Sequence, residues 1–196
     1  SPDFETKSSY SIRLQTKDSG GLTLEKAFTL NVNGINETPS ELTASALEFD
    51  ENIEAGSVVA SLSSIDPDSG DSHTYALVAG EGDTDNNLFV VDGDQLKIVG
   101  SPDFETKSSY SIRLQTKDSG GLTLEKVFTF SVNDLIELAT DLSISGSSFD
   151  ENIAAGSAVA SLSSIDPDSG DSHSYALVAG DGDTDNSLFV VDGDQL

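Results

Sequence analysis

Hydrophobic and polar residues alternate along several short stretches of the chain, the pattern of β-strands that bury one face. In residues 108–116, Tyr110, Ile112 and Leu114 alternate with polar residues, and residues 124–132 repeat the pattern. No stretch of useful length shows the 3.6-residue period of an amphipathic helix. The pattern therefore predicts an all-β protein.

Seven such stretches fall within about 100 residues and are separated by clusters of turn-forming residues. We predict strands over residues 42–49, 57–63, 73–78, 88–91, 95–99, 108–116 and 124–132. The glycines of residues 117–121 favour a tight turn between the last two strands, because glycine accepts positive φ. Seven short strands in a segment of this length predict a Greek-key β-sandwich.

The sequence repeats itself with a period of 100 residues. Residues 1–26 recur unchanged at 101–126, and roughly four in five of the 96 aligned positions are identical. The differences concentrate in residues 34–48 and their counterparts 134–148, where a linker between repeats is expected. We predict that residues 1–37 are the last two strands of one repeat, 38–137 a complete repeat, and 138–196 the first four strands of the next.

Both predicted end segments are half-sandwiches, which expose strand edges and apolar surface. One interpretation is a segment of a longer ordered chain or filament, in which neighbouring repeats of the same chain cover these surfaces. The other is head-to-tail completion, in which the C-terminal half of one chain pairs with the N-terminal half of an identical chain. The chain begins Ser1-Pro2-Asp3 without a recognisable leader, so we expect an internal fragment.

The composition argues against several classes of protein. The formal charge is −26, from 35 acidic and 9 basic residues, and such a surface repels nucleic acid and anionic lipid. No apolar run approaches the roughly 20 residues of a membrane span. Cysteine, methionine and tryptophan are absent, which excludes disulfides, thiol catalysis and Cys-based metal sites.

Acidic residues recur at the loop positions of each repeat. They occupy Asp50-Glu51-Asn52, residues 66–71, Asp103 and Glu105, and Asp118. Oxygen ligands at alternate positions suit Ca²⁺, which takes 6 to 8 oxygens in irregular geometry. The alternative is that these are ordinary solvated turns, because Asp, Asn, Ser and Gly favour turns without a metal.

Taken in order, these motifs resemble cadherin repeats, in the divergent form found in very large bacterial surface proteins. The resemblance rests on DEN at 50–52, DPDSGD at 66–71, Phe-x-x-Asp at 89–92, DFE at 103–105 where the family has Asp-Arg-Glu, TKDSGG at 116–121 where it has Ala-x-Asp-x-Gly, and VNGINETP at 32–39 where it has Asp-x-Asn-Asp-Asn. It implies a cadherin/Ig-like sandwich repeated in tandem, a secreted or cell-surface location, and calcium between successive repeats.

The family's calcium ligands carry over to two sets of residues, one at each predicted junction. The first set is Asp3, Glu5, Asn36, Glu37, Asp66, Asp68 and Asp118. The second set is Glu51, Asp103, Glu105, Asp134, Glu137, Asp166 and Asp168. The linkers depart from the family pattern at Gly34, Ile136 and Ala139, and we expect fewer ions at the second junction than the family's usual complement.

Other polar residues are interpreted as structural. The acidic loop 81–86 matches no family ligand and is predicted to be an ordinary turn, and His73 and His173 are predicted to be polar residues at strand edges. Carboxylates that repeat identically at loop ends, without a tryptophan platform for sugar, argue against an enzyme.

The sequence therefore predicts a calcium-stiffened extracellular spacer of a bacterial surface adhesin or surface fibre. The alternative is that the repeat is itself a calcium-dependent binding module, either homophilic or for polysaccharide. The sequence does not identify the ligand.

Overall fold

The computed structural model describes all 196 residues of the chain. They form two compact units, Ser1–Asn133 and Asp134–Leu196. Apart from the short 3₁₀ turns Asn86–Leu88 and Asn186–Leu188, every regular element is a β-strand. The all-β prediction is confirmed.

The first unit begins with an N-terminal hairpin of two antiparallel strands, β1 (Ser9–Lys17) and β2 (Thr23–Asn31). Each strand has nine residues, and the pairing runs from Ser9 opposite Asn31 to Lys17 opposite Thr23. Nearly every residue of the hairpin is exposed on both faces. The two strands of the hairpin are therefore hydrogen-bonded to each other, and their apolar side chains are left exposed.

Two four-stranded sheets follow and form a β-sandwich, called the sandwich below, over residues 41–133. Its strands are β3 (Glu41–Ala44), β4 (Glu48–Asp50), β5 (Val58–Ile65), β6 (Thr74–Leu77), β7 (Phe89–Asp92), β8 (Gln95–Ile98), β9 (Ser109–Lys117) and β10 (Thr123–Asn133). One sheet has the order β4-β10-β9-β6 and the other β3-β5-β8-β7. All pairs are antiparallel except β4 with β10. The β-sandwich prediction is confirmed.

The predicted first strand, residues 42–49, is two strands. β3 pairs with β5 in one sheet, and β4 pairs in parallel with β10 in the other. Residues 45–47 carry the chain across, with Ser45 N–H donating to Ser61 O and Leu47 O accepting from Ser131 N–H. A strand that changes sheets has to bend between its two partners, so residues 41–133 contain eight strands where the hydrophobic pattern predicts seven.

The core lies between the two sheets. Leu42 and Leu96 from one sheet meet Ile112, Leu114 and Phe130 from the other, and all five are almost completely buried. A cluster of aromatic rings at one end is built from Phe49, Phe89, Tyr110 and Phe130, with centroids 5.5 to 6.4 Å apart. Ring pairs at such spacing add to the stabilisation from area burial alone.

The second unit has less regular structure. Its only strands are β11 (Asp141–Ile144) and β12 (Leu162–Ile165), which pair antiparallel in the register of β3 and β5. Large apolar side chains, among them Leu142 and Phe149, are exposed. The limits 1–37, 38–137 and 138–196 of the three predicted segments stay a prediction.

Candidate metal centre

Two loops of the sandwich bring three carboxylates together. Asp66 and Asp71 lie in the loop between β5 and β6, and Asp118 lies in the turn between β9 and β10. One oxygen from each falls within 4.8 Å of the other two. Asp118 is only 4% exposed, and its two oxygens accept hydrogen bonds from Leu122 N–H at 2.8 Å and the Asn36 amide at 2.9 Å. We call these three residues the first cluster.

Asp71 shows how well the first cluster fits a cation. Its Oδ1 accepts from the Ser119 hydroxyl and from Ser72 N–H, and the bond from Ser119 is the main reason that the pKa of Asp71 lies below its usual value. Its Oδ2 is buried and has no hydrogen-bond partner. Buried polar atoms are rarely left unpaired, so an ionised carboxylate with one unpaired oxygen, facing two other acids, matches a hard cation.

A second group of acids joins the linker to the sandwich. Oxygens of Glu5, Glu37 and Asp68 lie within 4.8 Å of one another, and Glu37 N–H donates to Asp68 Oδ2 at 2.7 Å. Desolvation raises the pKa of Glu37, and the charges of Glu5, Asp68, Asp3 and Asp66 raise it further. This second cluster and the first border an open polar cavity of about 410 Å³ that Asp68 and Asp71 share.

Asp3, a predicted ligand of the first set, makes hydrogen bonds within its own loop and lies in neither cluster. Its carboxylate accepts hydrogen bonds from Thr6 N–H at 3.0 Å and the Thr6 hydroxyl at 2.9 Å. The backbone bond from Thr6 is the first cause of the lowered pKa of Asp3. Asp3 is in neither cluster, so the structure brings together Glu5, Glu37 and Asp68, with Asn36, Asp66 and Asp118 alongside.

The second predicted set divides between the two units, and each part is described by itself. In the first unit Glu51 is 1% exposed and its Oε2 accepts from Phe104 N–H at 2.8 Å. Asp103 accepts from Thr106 N–H and hydroxyl, as Asp3 does from Thr6. The neighbouring Glu105 is exposed. These ligand assignments stay predictions.

In the second unit the linker makes the same contact as in the first. Glu137 N–H donates to Asp168 Oδ2 at 2.7 Å, and Asp168 N–H donates to Asp166 Oδ1 at 3.1 Å. Asp134, the remaining member of the set, is the first residue of this unit. The loop therefore has the same local conformation in both copies.

Each histidine contacts a carboxylate of its acidic loop, which the prediction of a polar residue at a strand edge does not include. His73 Nε2 lies 3.0 Å from Asp66 Oδ2, and His173 Nε2 lies 2.9 Å from Asp166 Oδ2. In the second unit Asp166, Asp171 and His173 each place one ligand atom within 4.8 Å of the others. Asp71 belongs to an acidic motif that the sequence analysis identified but is absent from the predicted ligand sets, and the histidines were predicted only as polar residues at strand edges. The available signal was the DPDSGDSH motif, which both copies share without change.

The acidic loop 81–86 has structural contacts. Asp83 Oδ2 accepts from Gly80 N–H, Asp85 Oδ2 accepts from Ser111 N–H at 2.7 Å, and Asn86 Oδ1 accepts from Arg113 N–H at 2.9 Å. These bonds fix the loop to the edge of β9, which agrees with the prediction of a turn.

The linker also approaches the turn between β9 and β10 very closely. A Cβ atom at Gly120 would collide with the Asn36 amide, whereas one at the equivalent Gly20 would meet only the Asp18 carboxylate at 3.3 Å. Gly120 therefore leaves the space in which Asn36 donates to Asp118.

Replacing Gly120 by alanine is expected to lower the free energy of unfolding by about 1 kcal/mol relative to G20A, because the added methyl displaces Asn36 from a charged acceptor. Both substitutions restrict the unfolded chain equally, so the difference isolates the contact. Urea denaturation of the two variants measures it. Equal urea midpoints for the two variants would show that Asn36 can move to another position without lowering the free energy of unfolding.

No family model matches the chain. Among curated proteins it is 28% identical over 199 residues to human Protocadherin-1, covering 96% of this chain and 18% of the relative. It is 29% identical over 181 residues to human Protocadherin Fat 4, covering 85% of this chain and 4% of the relative. The chain thus spans less than a fifth of either relative. Both are animal proteins, so the bacterial form of the family stays a prediction.

Solved structures agree on the fold. Extracellular cadherin domains 1 to 4 of protocadherin gamma B7 superpose with a TM-score of 0.63 at 23% identity, covering 86% of this chain and 43% of that structure. The extracellular domain of protocadherin gamma B4 gives 0.61 at 23% identity, covering 86% and 28%. The relatives are cadherins and not enzymes. No helix of the chain is long and apolar enough to cross a membrane. In sequence and fold, the chain is cadherin-like.

Proposed function

We propose that the chain is a calcium-binding run of extracellular cadherin-like repeats that acts as a stiff spacer in a bacterial surface adhesin or surface fibre. The observation that carries the proposal is the first cluster, where Asp71 presents a buried, unpaired oxygen to two other acids. Asp66, Asp71 and Asp118 would hold one ion, and Glu5, Glu37 and Asp68 another. The second predicted set extends the proposal to the next junction.

The arrangement links calcium to stiffness through the linker residues. Asn36 and Glu37 already bond to Asp118 and Asp68 of the sandwich, while Glu5 comes from the segment that precedes the linker. Desolvation and then the charges of the neighbouring acids raise the pKa of Glu37, so the repulsion among these acids opposes that contact. Bound Ca²⁺ supplies the positive charge that offsets the repulsion. The carboxylates then hold the segments before and after the linker in one arrangement.

Calcium titration by isothermal calorimetry tests the binding. Extracellular calcium modules bind with Kd of about 10⁻⁴ to 10⁻³ M, and we expect the chain to fall in this range. Magnesium should bind more weakly, because it requires near-octahedral geometry and gives up water reluctantly. A calcium titration that matches dilution into buffer at millimolar concentration would reject the proposed sites.

The spacer role needs a separate measurement. Small-angle X-ray scattering of a polypeptide with several repeats is expected to give a larger maximum dimension in calcium than in chelator. An unchanged dimension, with calcium bound, would reject the stiffening role while leaving the sites in place.

The second candidate function is homophilic adhesion by the repeats themselves. One solved relative, protocadherin gamma B7, is described as a cis-dimer, and the chain exposes many large apolar side chains. Aggregation of beads coated with the chain, in calcium but not in chelator, would favour adhesion over a spacer.

A further inference from the structure

The loop between β5 and β6 is closed by a hydrogen bond between its first and last residues. Asp66 directly follows β5, and His73 directly precedes β6. His73 Nε2 lies 3.0 Å from Asp66 Oδ2. Because β5 and β6 belong to different sheets, this bond lies where the chain leaves one sheet for the other. It fixes the two ends of the loop 67–72.

The bond between His73 and Asp66 is shielded from solvent. The side chain of His73 is 11% exposed and that of Asp66 is 3% exposed. An ionised carboxylate only accepts hydrogen bonds, so Nε2 of His73 carries the hydrogen and donates it. The other oxygen, Asp66 Oδ1, accepts from Asp68 N–H at 3.0 Å. Each carboxylate oxygen has more than one lone pair, so the two bonds orient Asp66 and still leave both oxygens able to bind a cation.

The closed loop carries acids of both clusters. Asp66 and Asp71 belong to the first cluster, and Asp68 belongs to the second, where it accepts from Glu37 N–H at 2.7 Å. Asp71 N–H donates to Asp68 O at 3.2 Å, which ties these two residues to each other. His73 is in neither cluster. It contacts the site only through Asp66, yet it holds the end of the segment on which all three acids lie.

The second copy of the loop makes the same bond. His173 Nε2 lies 2.9 Å from Asp166 Oδ2, and Asp168 N–H donates to Asp166 Oδ1 at 3.1 Å. Residues 174–177, which correspond to β6, are not a strand. The bond between histidine and aspartate is therefore a property of the DPDSGDSH loop itself and does not depend on the strand that follows it.

Closure of the loop matters for binding because the three acids repel one another. A loop that opened to separate its carboxylates would have to be ordered again when an ion binds, and such ordering weakens binding. Groups that hydrogen-bond a metal ligand fix its orientation, and removing one of them typically weakens metal binding 10- to 100-fold. The Nε2–H group of His73 is in this position relative to Asp66.

From these contacts we infer that His73 is a positioning residue for calcium, which holds Asp66 and the loop 67–72 in the arrangement that binds the ion. His173 has the same role in the second copy. The inference rests on the proposed calcium site and adds a residue that is not a ligand. Calcium takes oxygen ligands, so His73 keeps its Nε2 hydrogen and its bond to Asp66 when the ion is bound.

Three substitutions separate the hydrogen bond from the packing of the ring. H73F keeps an aromatic ring and removes the donor, whereas H73Q removes the ring and keeps an N–H donor. S72A is the control, because Ser72 is exposed and its backbone N–H, which donates to Asp71, is retained. Two-dimensional ¹H–¹⁵N NMR follows Gly70 and Gly170 separately during a calcium titration. Each His73 variant then contains an unchanged loop, reported by Gly170, as an internal reference.

In the wild-type chain the signal of Gly70 is expected to move with calcium concentration. In H73F its midpoint should require at least tenfold more calcium, while the midpoint of Gly170 stays the same. H73Q and S72A should titrate close to wild type. A long-range ¹H–¹⁵N spectrum of the wild-type imidazoles, of which the chain has two, should show the Nε2 hydrogen of His73 both in chelator and in saturating calcium.

Three results would overturn the inference. An H73F chain whose Gly70 titrates as in wild type would show that the bond does not position the site. An H73Q chain as weak as H73F would assign the effect to the ring. Loss of the Nε2 hydrogen in calcium would make His73 a ligand, and this measurement on wild type decides even if H73F does not fold. A wild-type Gly70 signal that ignores calcium is a distinct result, which rejects the calcium site itself.

Discussion

Replacing Leu114 by alanine is expected to lower the free energy of unfolding of the sandwich by about 2–5 kcal/mol, the usual cost of such a substitution at a fully buried site. L14A is expected to cost less than about 1 kcal/mol. The two leucines lie in identical nine-residue strands, so local propensity is the same at both. Their exposed fractions, 0% and 55%, account for the difference.

Denaturant unfolding in chelator measures both values, at a protein concentration low enough for sedimentation to show a single monomeric species. Ile112 and Ile12 offer a second matched pair, with exposed fractions of 0% and 36%. A loss for L14A as large as that for L114A would mean that the hairpin is packed within the single chain. Equal and small losses would mean that the core around Leu114 refills the cavity.

β1 and β9 also show how far the sequence determines the fold. The alternating pattern predicts both strands and the face that each would bury, because a period of two is a local property. Which strand finds a partner depends on residues 41–98, which are distant in sequence. The division of residues 42–49 into β3 and β4 has the same cause, since the bend depends on β5 and β10 as neighbours.

The candidate site was predictable to the extent that its residues belong to motifs. The family resemblance points to Asp66, Asp68 and Asp118, and the structure places all three around the linker. The ligand set carried over from the family omits Asp71, although the DPDSGD motif ends on it, and the contact of Asp71 with Ser119 comes from another loop. Asp3 carries a family motif but accepts hydrogen bonds from Thr6, three residues away. The spacing of the family motif does not show that Thr6 donates hydrogen bonds to the same carboxylate.

Asp118 and Asp18 provide a matched test of the proposed calcium site. Both accept a hydrogen bond from the backbone N–H four residues later, Leu122 at 2.8 Å and Leu22 at 2.9 Å. Asp118 is also part of the first cluster, whereas Asp18 is exposed and in none of the acidic clusters. Asparagine keeps one oxygen for the turn and removes the charge.

In calorimetric titrations, D118N is expected to bind calcium at least tenfold more weakly than wild type, a loss of about 1.4 kcal/mol or more, while D18N binds unchanged. In chelator, D118N should unfold at nearly the same denaturant concentration as wild type, because the relief of repulsion from Asp66 and Asp71 opposes the loss of the hydrogen bond that the second Asp118 oxygen accepts from Asn36. In calcium it should unfold at a lower one, because binding to the native state is weakened. A D118N chain that is destabilised equally in chelator and in calcium would assign Asp118 to the turn alone, since only a metal ligand makes the effect of the substitution depend on calcium.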